Sequence, residues 1–204
     1  MSDPLAVQFV NAREWRQGPM AATPVDGYRA LVEWARKAEL FGRTEADRLS
    51  REAESRPSEA EAAWERARRL REATYRILSA QGEGRHPESA DLAVLNESLG
   101  EGAARRHLRS TAEGLCWTWV EAPDCGLDWM LWPVAYSAAE LVTGSEADRV
   151  KSCPAEGCGW IFVDRSRNRS RRWCDMQSCG NREKARRHYH RGRERTETTA
   201  SDAS

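Results

Sequence analysis

No stretch of this sequence approaches the ~18 consecutive apolar residues that a membrane-spanning helix needs, which excludes a helical membrane protein. Met1 to Pro24 also lacks a basic start followed by an apolar block, so no secretory signal is expected and a cytoplasmic location is the default. Histidine is scarce, at four residues in 204. Two of them, His188 and His190, are two apart and point away from each other on a helix, which argues against a histidine metal site. There is no internal repeat, no Gly-rich phosphate loop and no nucleophile motif. Acidic residues are plentiful, but no pair of them is tied to acid–base work. An enzyme is therefore not expected, and a small-molecule enzyme in the N-terminal part is the weakest of the functional readings.

What the chain does have is a cysteine pattern. Cys153 and Cys158 have four residues between them, fifteen residues follow, and Cys174 and Cys179 again have four between. Each pair bends tightly enough to aim two thiolates at one point, and the insert brings the pairs together, as a tetrahedral zinc ion requires. Two local disulfides fit poorly in a chain with no mark of secretion. An iron–sulfur cluster also takes four cysteines and competes for the same ligands. A closed four-cysteine site leaves no open coordination position, so the zinc is expected to be structural. The remaining cysteines, Cys116 and Cys125, are expected to stay reduced, with a redox-sensing role as the alternative.

The local pattern around the cysteines suggests how the site is built. Gly157 and Gly159 give the first pair a flexible knuckle. Trp160-Ile161-Phe162-Val163 reads as a strand, Arg167-Asn168-Arg169-Ser170 as a turn and Arg172-Trp173 as the returning strand. Arg182 to Arg187 favours helix. Knuckle, hairpin and a helix whose start carries the second ligand pair make a treble-clef-like module.

The formal net charge is zero, and it conceals a strong polarity. Residues 149–195 hold 14 Lys/Arg against 5 Asp/Glu, a net of +9, while residues 1–148 hold 18 basic and 25 acidic residues, a net of −7. A basic patch on a small zinc module is the electrostatic footprint of a nucleic-acid contact. Arginine dominates the set, and its planar fork suits phosphate and guanine edges. The alternative is a solvated basic face, or one docked on the acidic N-terminal part.

The N-terminal part reads as mainly helical. Leu5 to Val10 is expected to be a short strand ending at Asn11. Helices are expected from Asp26 to about Phe41, from Thr44 to Pro57 with Thr44 and Asp47 as a capping box, and from a second capping box at Ser58 and Glu61 to about Ala80. Another begins near Ser89 and carries Leu92, Leu95, Leu99 and Ala103, with Gly100 and Gly102 weakening its second half. Residues 115–121 alternate like a strand, a turn follows at Pro123 to Gly126, and Leu127 to Trp132 is the expected partner strand. The tryptophans of this region, Trp117, Trp119, Trp129 and Trp132, read as core, with a ligand-stacking groove as the alternative. Pro133 suits the first turn of a helix that ends at Gly144. Ser145 to Ser152 reads as a polar connection. The fold class expected is α+β: a mainly helical N-terminal domain with a small antiparallel hairpin, then a treble-clef-like zinc finger.

The run Trp173-Cys174-Asp175-Met176-Gln177-Ser178-Cys179-Gly180-Asn181-Arg182-Glu183-Lys184, with Cys153-Pro154, Cys158-Gly159-Trp160-Ile161-Phe162 and Arg165 to Arg172, resembles the CGNR zinc finger, named after the tetrapeptide at Cys179 to Arg182. In proteins of that kind the finger follows an ABATE domain, and the two together imply a stress-induced transcription regulator. The resemblance covers nearly all of residues 1–193. It divides the chain into an ABATE-like regulatory domain at 1–148, the finger at 149–193 and a tail at 194–204 that is expected to be disordered. The apolar segment ending in Phe9-Val10-Asn11 is similar to one in the family, where Asp often stands in place of Gln8 and Thr in place of Ala12. The resemblance points to Asn11, Trp15 and Trp132 as ligand-binding candidates. The expected function is a zinc-dependent DNA-binding regulator, with double-stranded DNA as partner and a small-molecule effector and a homodimer as further expectations. Arg167, Arg169, Arg171, Arg172, Arg182, Lys184, Arg186 and Arg187 are the nucleic-acid candidates, most of them for phosphate. The runner-up is an RNA-binding or protein-interaction module on a helical scaffold.

Overall fold

The longest periodic stretch of the sequence becomes the axis of the N-terminal part. In the computed structural model, which describes residues 2–12, 27–119, 125–186 and 189, helix α4 runs from Pro57 to Gly82. Its Ala60, Ala63, Trp64, Ala67, Leu70, Ala73, Thr74, Ile77 and Leu78 are buried at helical spacing. Helices α1 (Leu5–Val10), α2 (Tyr28–Lys37), α3 (Arg43–Ser55), α5 (Ser89–Ala103) and α6 (Leu131–Thr143) gather around it. Alanine at so many contact positions lets these helices approach closely.

Several helix ends differ from the sequence reading. Helix α2 stops at Lys37, not near Phe41, because Glu39 takes a left-handed conformation with φ of 60°. The Leu40 and Glu39 N–H groups then bond back to the Ala35 and Arg36 carbonyls at 3.0 and 3.1 Å, a Schellman closure. Neither expected capping box forms: Thr44 and Ser58 lie inside α3 and α4, which start one residue earlier, and neither N-cap makes a side-chain cap bond. Pro57 takes the first position of α4, where its missing N–H costs nothing. Asp26, the expected cap of α2, lies outside the described residues.

Leu5 to Val10 is a helix, not the expected strand. Ala6 and Phe9 face the main apolar core, while Val7 and Val10 face a second cluster with Leu78 and Leu141. A segment buried on both sides has no polar face to set its period, and six apolar-rich residues fit either structure. The Ala6 N–H, one of the orphan donors of the first turn, bonds Ser137 Oγ at 3.1 Å.

The tryptophan hairpin also pairs differently. Strand β2 (Gly114–Trp119) has β1 (Arg106–Thr111) as its antiparallel partner, with Leu108 opposite Trp117 and Arg106 opposite Trp119. Leu127 to Trp132 is not a strand; it leads through Met130 into α6. The polar sequence of β1 gives no burial alternation because the strand is mostly exposed. The core reading holds for Trp132, which is buried, and for Trp129, which packs on Phe41 at 5.5 Å. It fails for Trp117, which is 57% exposed with the Arg106 guanidinium 4.6 Å over its ring. Glycine at 102 is buried because a Cβ there would lie 2.9 Å from the Trp132 Cβ. The residue that weakens the helix by propensity is thus where α5 meets α6.

The C-terminal module begins earlier than its first cysteine. Residues Val150–Ser152 form β3, which pairs antiparallel with β4 (Ile161–Val163) in the register Val150↔Val163 and Ser152↔Ile161. So the expected strand Ile161–Val163 exists, but its partner is the stretch read as a polar connection, and Arg172-Trp173 is not a strand. This small sheet is seated on the helices: Val150, Ile161 and Val163 join Val7, Val10, Leu78 and Leu141 in one buried cluster. At the end of α4, a Cβ on residue 82 would sit 3.1 Å from the Val150 carbonyl, so glycine admits β3 there.

Candidate zinc centre and nucleic-acid interface

The first cysteine pair lies in the turn between β3 and β4. The Cys153 N–H bonds the Trp160 carbonyl at 2.8 Å and the Cys158 N–H bonds the Ala155 carbonyl at 2.9 Å. Gly157 and Gly159 have φ of 70° and 57°, values that this reversal needs and that other residues adopt only with strain. Of the second pair, Cys174 precedes a π-helical turn, Met176–Gly180, and Cys179 lies within it; Asp175 caps the start, accepting from the Gln177 N–H at 2.6 Å. A helical stretch at 181–186 follows, as the sequence suggested.

The four Sγ atoms lie within 4.8 Å of one another. Cys158 to Cys174, Cys174 to Cys179 and Cys179 to Cys158 are separated by 3.7, 3.5 and 3.6 Å. A tetrahedron with Zn–S bonds of ~2.3 Å has edges of about 3.8 Å, so this arrangement fits one zinc ion. The separations are far beyond a disulfide bond of ~2.0 Å, and they leave no room for a polyatomic iron–sulfur core. Without metal, Cys153, Cys158 and Cys174 are shifted in different directions. Burial and the neighbouring sulfurs push Cys174 well up, and burial raises Cys158. At Cys153 burial is outweighed by bonds from the Cys174 and Ala155 backbone, and the thiol falls below its usual range. Metal uptake must therefore displace protons, so affinity declines in acid.

A thin shell supports the ligands. Phe162 and Ala155 are buried with Cys153 and Cys179, and Trp160 and Trp173 close the rim. The Arg182 guanidinium donates to Cys179 Sγ at 3.4 Å, and the Asn181 amide donates to the Gln177 carbonyl at 3.1 Å. A Cβ at Gly180 would press on Trp173 at 3.1 Å. Each member of Cys179-Gly180-Asn181-Arg182 therefore has a structural task in the turn that carries the last ligand.

The predicted nucleic-acid residues divide into two groups. Arg171 is exposed but engaged within its own module: its guanidinium lies 4.7 Å over Phe162 and donates to the Trp173 and Cys174 carbonyls. Arg182 is engaged at Cys179, as above. Arg186 pairs with Glu156 of the first knuckle and, at 3.8 Å, with Glu183. Arg169 pairs with Asp148 on the surface. Arg172 stacks 4.9 Å over Trp173 and is exposed. Arg167 and Lys184 are exposed and have no ion-pair partner among the described residues. Arg187 lies outside the described residues.

Sequence reasoning missed the centre of the arginine loop. Asp164 has no exposed surface. It accepts from Lys151 Nζ at 2.6 Å, the Ser166 N–H at 3.0 Å, Ser166 Oγ at 2.6 Å and the Arg171 N–H at 2.9 Å. Burial alone would raise its carboxyl, but the Lys151 ammonium and the Ser166 bonds hold it down at about 2. The signal in the sequence was the Asp-x-Ser spacing of an Asx turn.

The effector candidates fare differently. Asn11 is buried, and its amide takes both backbone groups of Ile161 in β4: it donates to the carbonyl at 2.7 Å and accepts from the N–H at 3.1 Å. It therefore joins the helical part to the finger. Trp132 packs on Trp119 with ring centroids 6.2 Å apart. Trp15 lies outside the described residues.

Two family models match separate stretches of the chain. A model of the ABATE family, described as "Putative stress-induced transcription regulator", matches residues 3–145. The chain belongs to the ABATE family. A model of the CGNR zinc finger matches residues 149–192, starting one residue before β3. No curated protein matches the chain. In this ABATE protein the CGNR finger holds a structural zinc on Cys153, Cys158, Cys174 and Cys179. Bound there, the ion cross-links the two knuckles. No helix among the described residues is long and apolar enough to cross a membrane.

Proposed function

We propose that this ABATE protein is a zinc-dependent, DNA-binding transcription regulator whose helical domain adjusts the finger. The observation that carries the reading is the set of exposed cations on a metal-fixed support. Arg167, Arg172 and Lys184 are exposed, and Arg169 is covered only by a surface pair with Asp148. Arg171 ties the loop bearing three of these to the second knuckle. Contacts of this kind go mainly to phosphate and set register, and one or two arginines read guanine in the major groove. Duplex DNA is favoured over single-stranded RNA because Trp160 and Trp173 pack around the cysteines instead of offering faces for base stacking.

The helical domain's regulatory role rests on the family description and on its direct seat against β4. A small-molecule effector and a homodimer belong to the same reading, as does the absence of catalysis. A thermal-shift screen tests the effector, and sedimentation tests the dimer. The principal experiment is binding of the zinc-loaded protein to fragmented genomic DNA near physiological salt, with bound fragments sequenced and a chelated control. Enrichment of a few sites that depends on zinc supports the reading. Capture of RNA or protein instead, with no DNA bound, overturns it.

A further inference from the structure

We propose that Asp164, Lys151 and Ser166 are positioning residues that fix the arginine loop in the shape that meets the phosphate backbone; this rests on the DNA-binding reading above. The loop from Arg165 to Arg172 has no regular secondary structure, and nothing in its composition would hold it still. It is nevertheless closed around the buried Asp164 carboxylate and its half-buried partner, Lys151. Three N–H groups of Lys151 are all placed: on Asp164 Oδ2 at 2.6 Å, on the Arg169 carbonyl at 2.6 Å and on the Arg171 carbonyl at 3.1 Å. Arg149 adds bonds to the Asp164 carbonyl at 3.0 Å and the Ser166 carbonyl at 3.4 Å. Ser166 Oγ accepts from the Ser170 N–H at 3.1 Å while donating to Asp164. Arg169 is held at φ of 51°, a conformation that a free arginine seldom adopts.

Two consequences follow for a polyanion. The carbonyl oxygens of residues 164, 166, 169 and 171, which would repel phosphate, are drawn inward to cations. The side chains of Arg167, Arg169 and Arg172 are left on the outside of a loop that is already ordered. Ordering long cationic side chains on a fixed backbone loses less conformational entropy on binding than ordering a mobile loop.

The test uses the full-length, zinc-loaded protein with three substitutions that differ in charge. Ser166→Ala changes none, Lys151→Met removes a positive charge and Asp164→Asn removes a negative one. Zinc content, unfolding temperature and DNA affinity across a salt series are measured for each. Positioning predicts that all three keep one zinc per chain and weaken DNA binding, each by about three- to tenfold, as expected for loss of a buried hydrogen bond or charged partner. The salt slope falls by about one phosphate contact in each, and Ser166→Thr, which keeps the hydroxyl, restores affinity and slope. If charge alone matters, Asp164→Asn binds more tightly, Ser166→Ala is unchanged, and the inference is wrong. Loss of zinc from all three variants also overturns it, since the residues would then serve the metal site. Should Asp164→Asn not fold, Ser166→Ala and its Thr rescue decide. A wild-type protein that binds no DNA defeats the functional reading itself, and that result appears before any variant is made.

Discussion

In the helical domain Phe9, Leu31, Leu49, Leu70 and Ile77 are enclosed almost entirely by other apolar side chains, whereas in the finger the enclosed set around the cysteines shrinks to Ala155 and Phe162. A module of this size buries too little surface to hold itself together. The finger relies instead on a metal cross-link, on the pair of buried Asp164 with half-buried Lys151, and on the seat that the helices provide for β3 and β4. The contrast teaches that the finger's shape is imposed by a few specific polar and metal bonds, while the helical domain's shape is distributed over many interchangeable apolar ones. Among the described residues the two parts meet along several contacts, α1 with β4 through Asn11 and Ile161, and α4 with β3 beside Gly82 and through Ser79 and Ser152.

The largest test of this contrast is removal of the metal. Zinc binding stabilises small fingers by about 10–16 kcal/mol, so chelation, or Cys174→Ser, is expected to strip hydrogen-exchange protection from β4 while α4 keeps its own. Equal loss in both elements would mean that the two regions share one stability. Next in size is the reverse lesion, Leu49→Ala on α3. A buried leucine truncated in a packed core costs about 2–5 kcal/mol, and thermal unfolding should register that cost with zinc content unchanged. A smaller effect is expected from Asn11→Ala. It leaves the Ile161 N–H and carbonyl without their buried partner, at about 1–3 kcal/mol. Its mark is specific: the Ile161 amide exchanges faster in the zinc-loaded protein, while zinc content and the protection of α4 are unchanged. An Ile161 amide that exchanges at the wild-type rate would show that Asn11 does not hold β4. The smallest change is Arg69→Ala on α4. That side chain pairs with Glu97 at 3.3 Å, both more than half exposed, and such pairs contribute about 0–1 kcal/mol. A larger shift in the unfolding midpoint would show that surface charge matters in this domain more than the comparison allows.

How much was legible depended on whether the information is local. The long helix α4 was legible because its apolar positions repeat over many turns. The short ones were not: Leu5 to Val10 satisfies either period, and the three residues of β3 are too few to show one. Strand β1 gave no signal because Arg106, His107 and Arg109 lie on a mostly exposed ribbon. At the site, the arginines were visible as a set, yet their tasks were not. Arg171 on Phe162 and Arg182 on Cys179 are exposed like Arg167 and have the same side chain, and only their neighbours distinguish them.

The sequence by itself determined the metal centre and the polarity of the chain. Thiolate chemistry and two short spacings suffice to specify a tetrahedral ion, and charge is a sum over residues that needs no geometry. Tertiary structure alone decided which cations face outward, what stands behind them, and how the finger is seated. Those outcomes depend on contacts such as Asn11 with Ile161, 150 positions apart. No local pattern encodes a pairing at that distance, because it exists only once two separately folded surfaces have met.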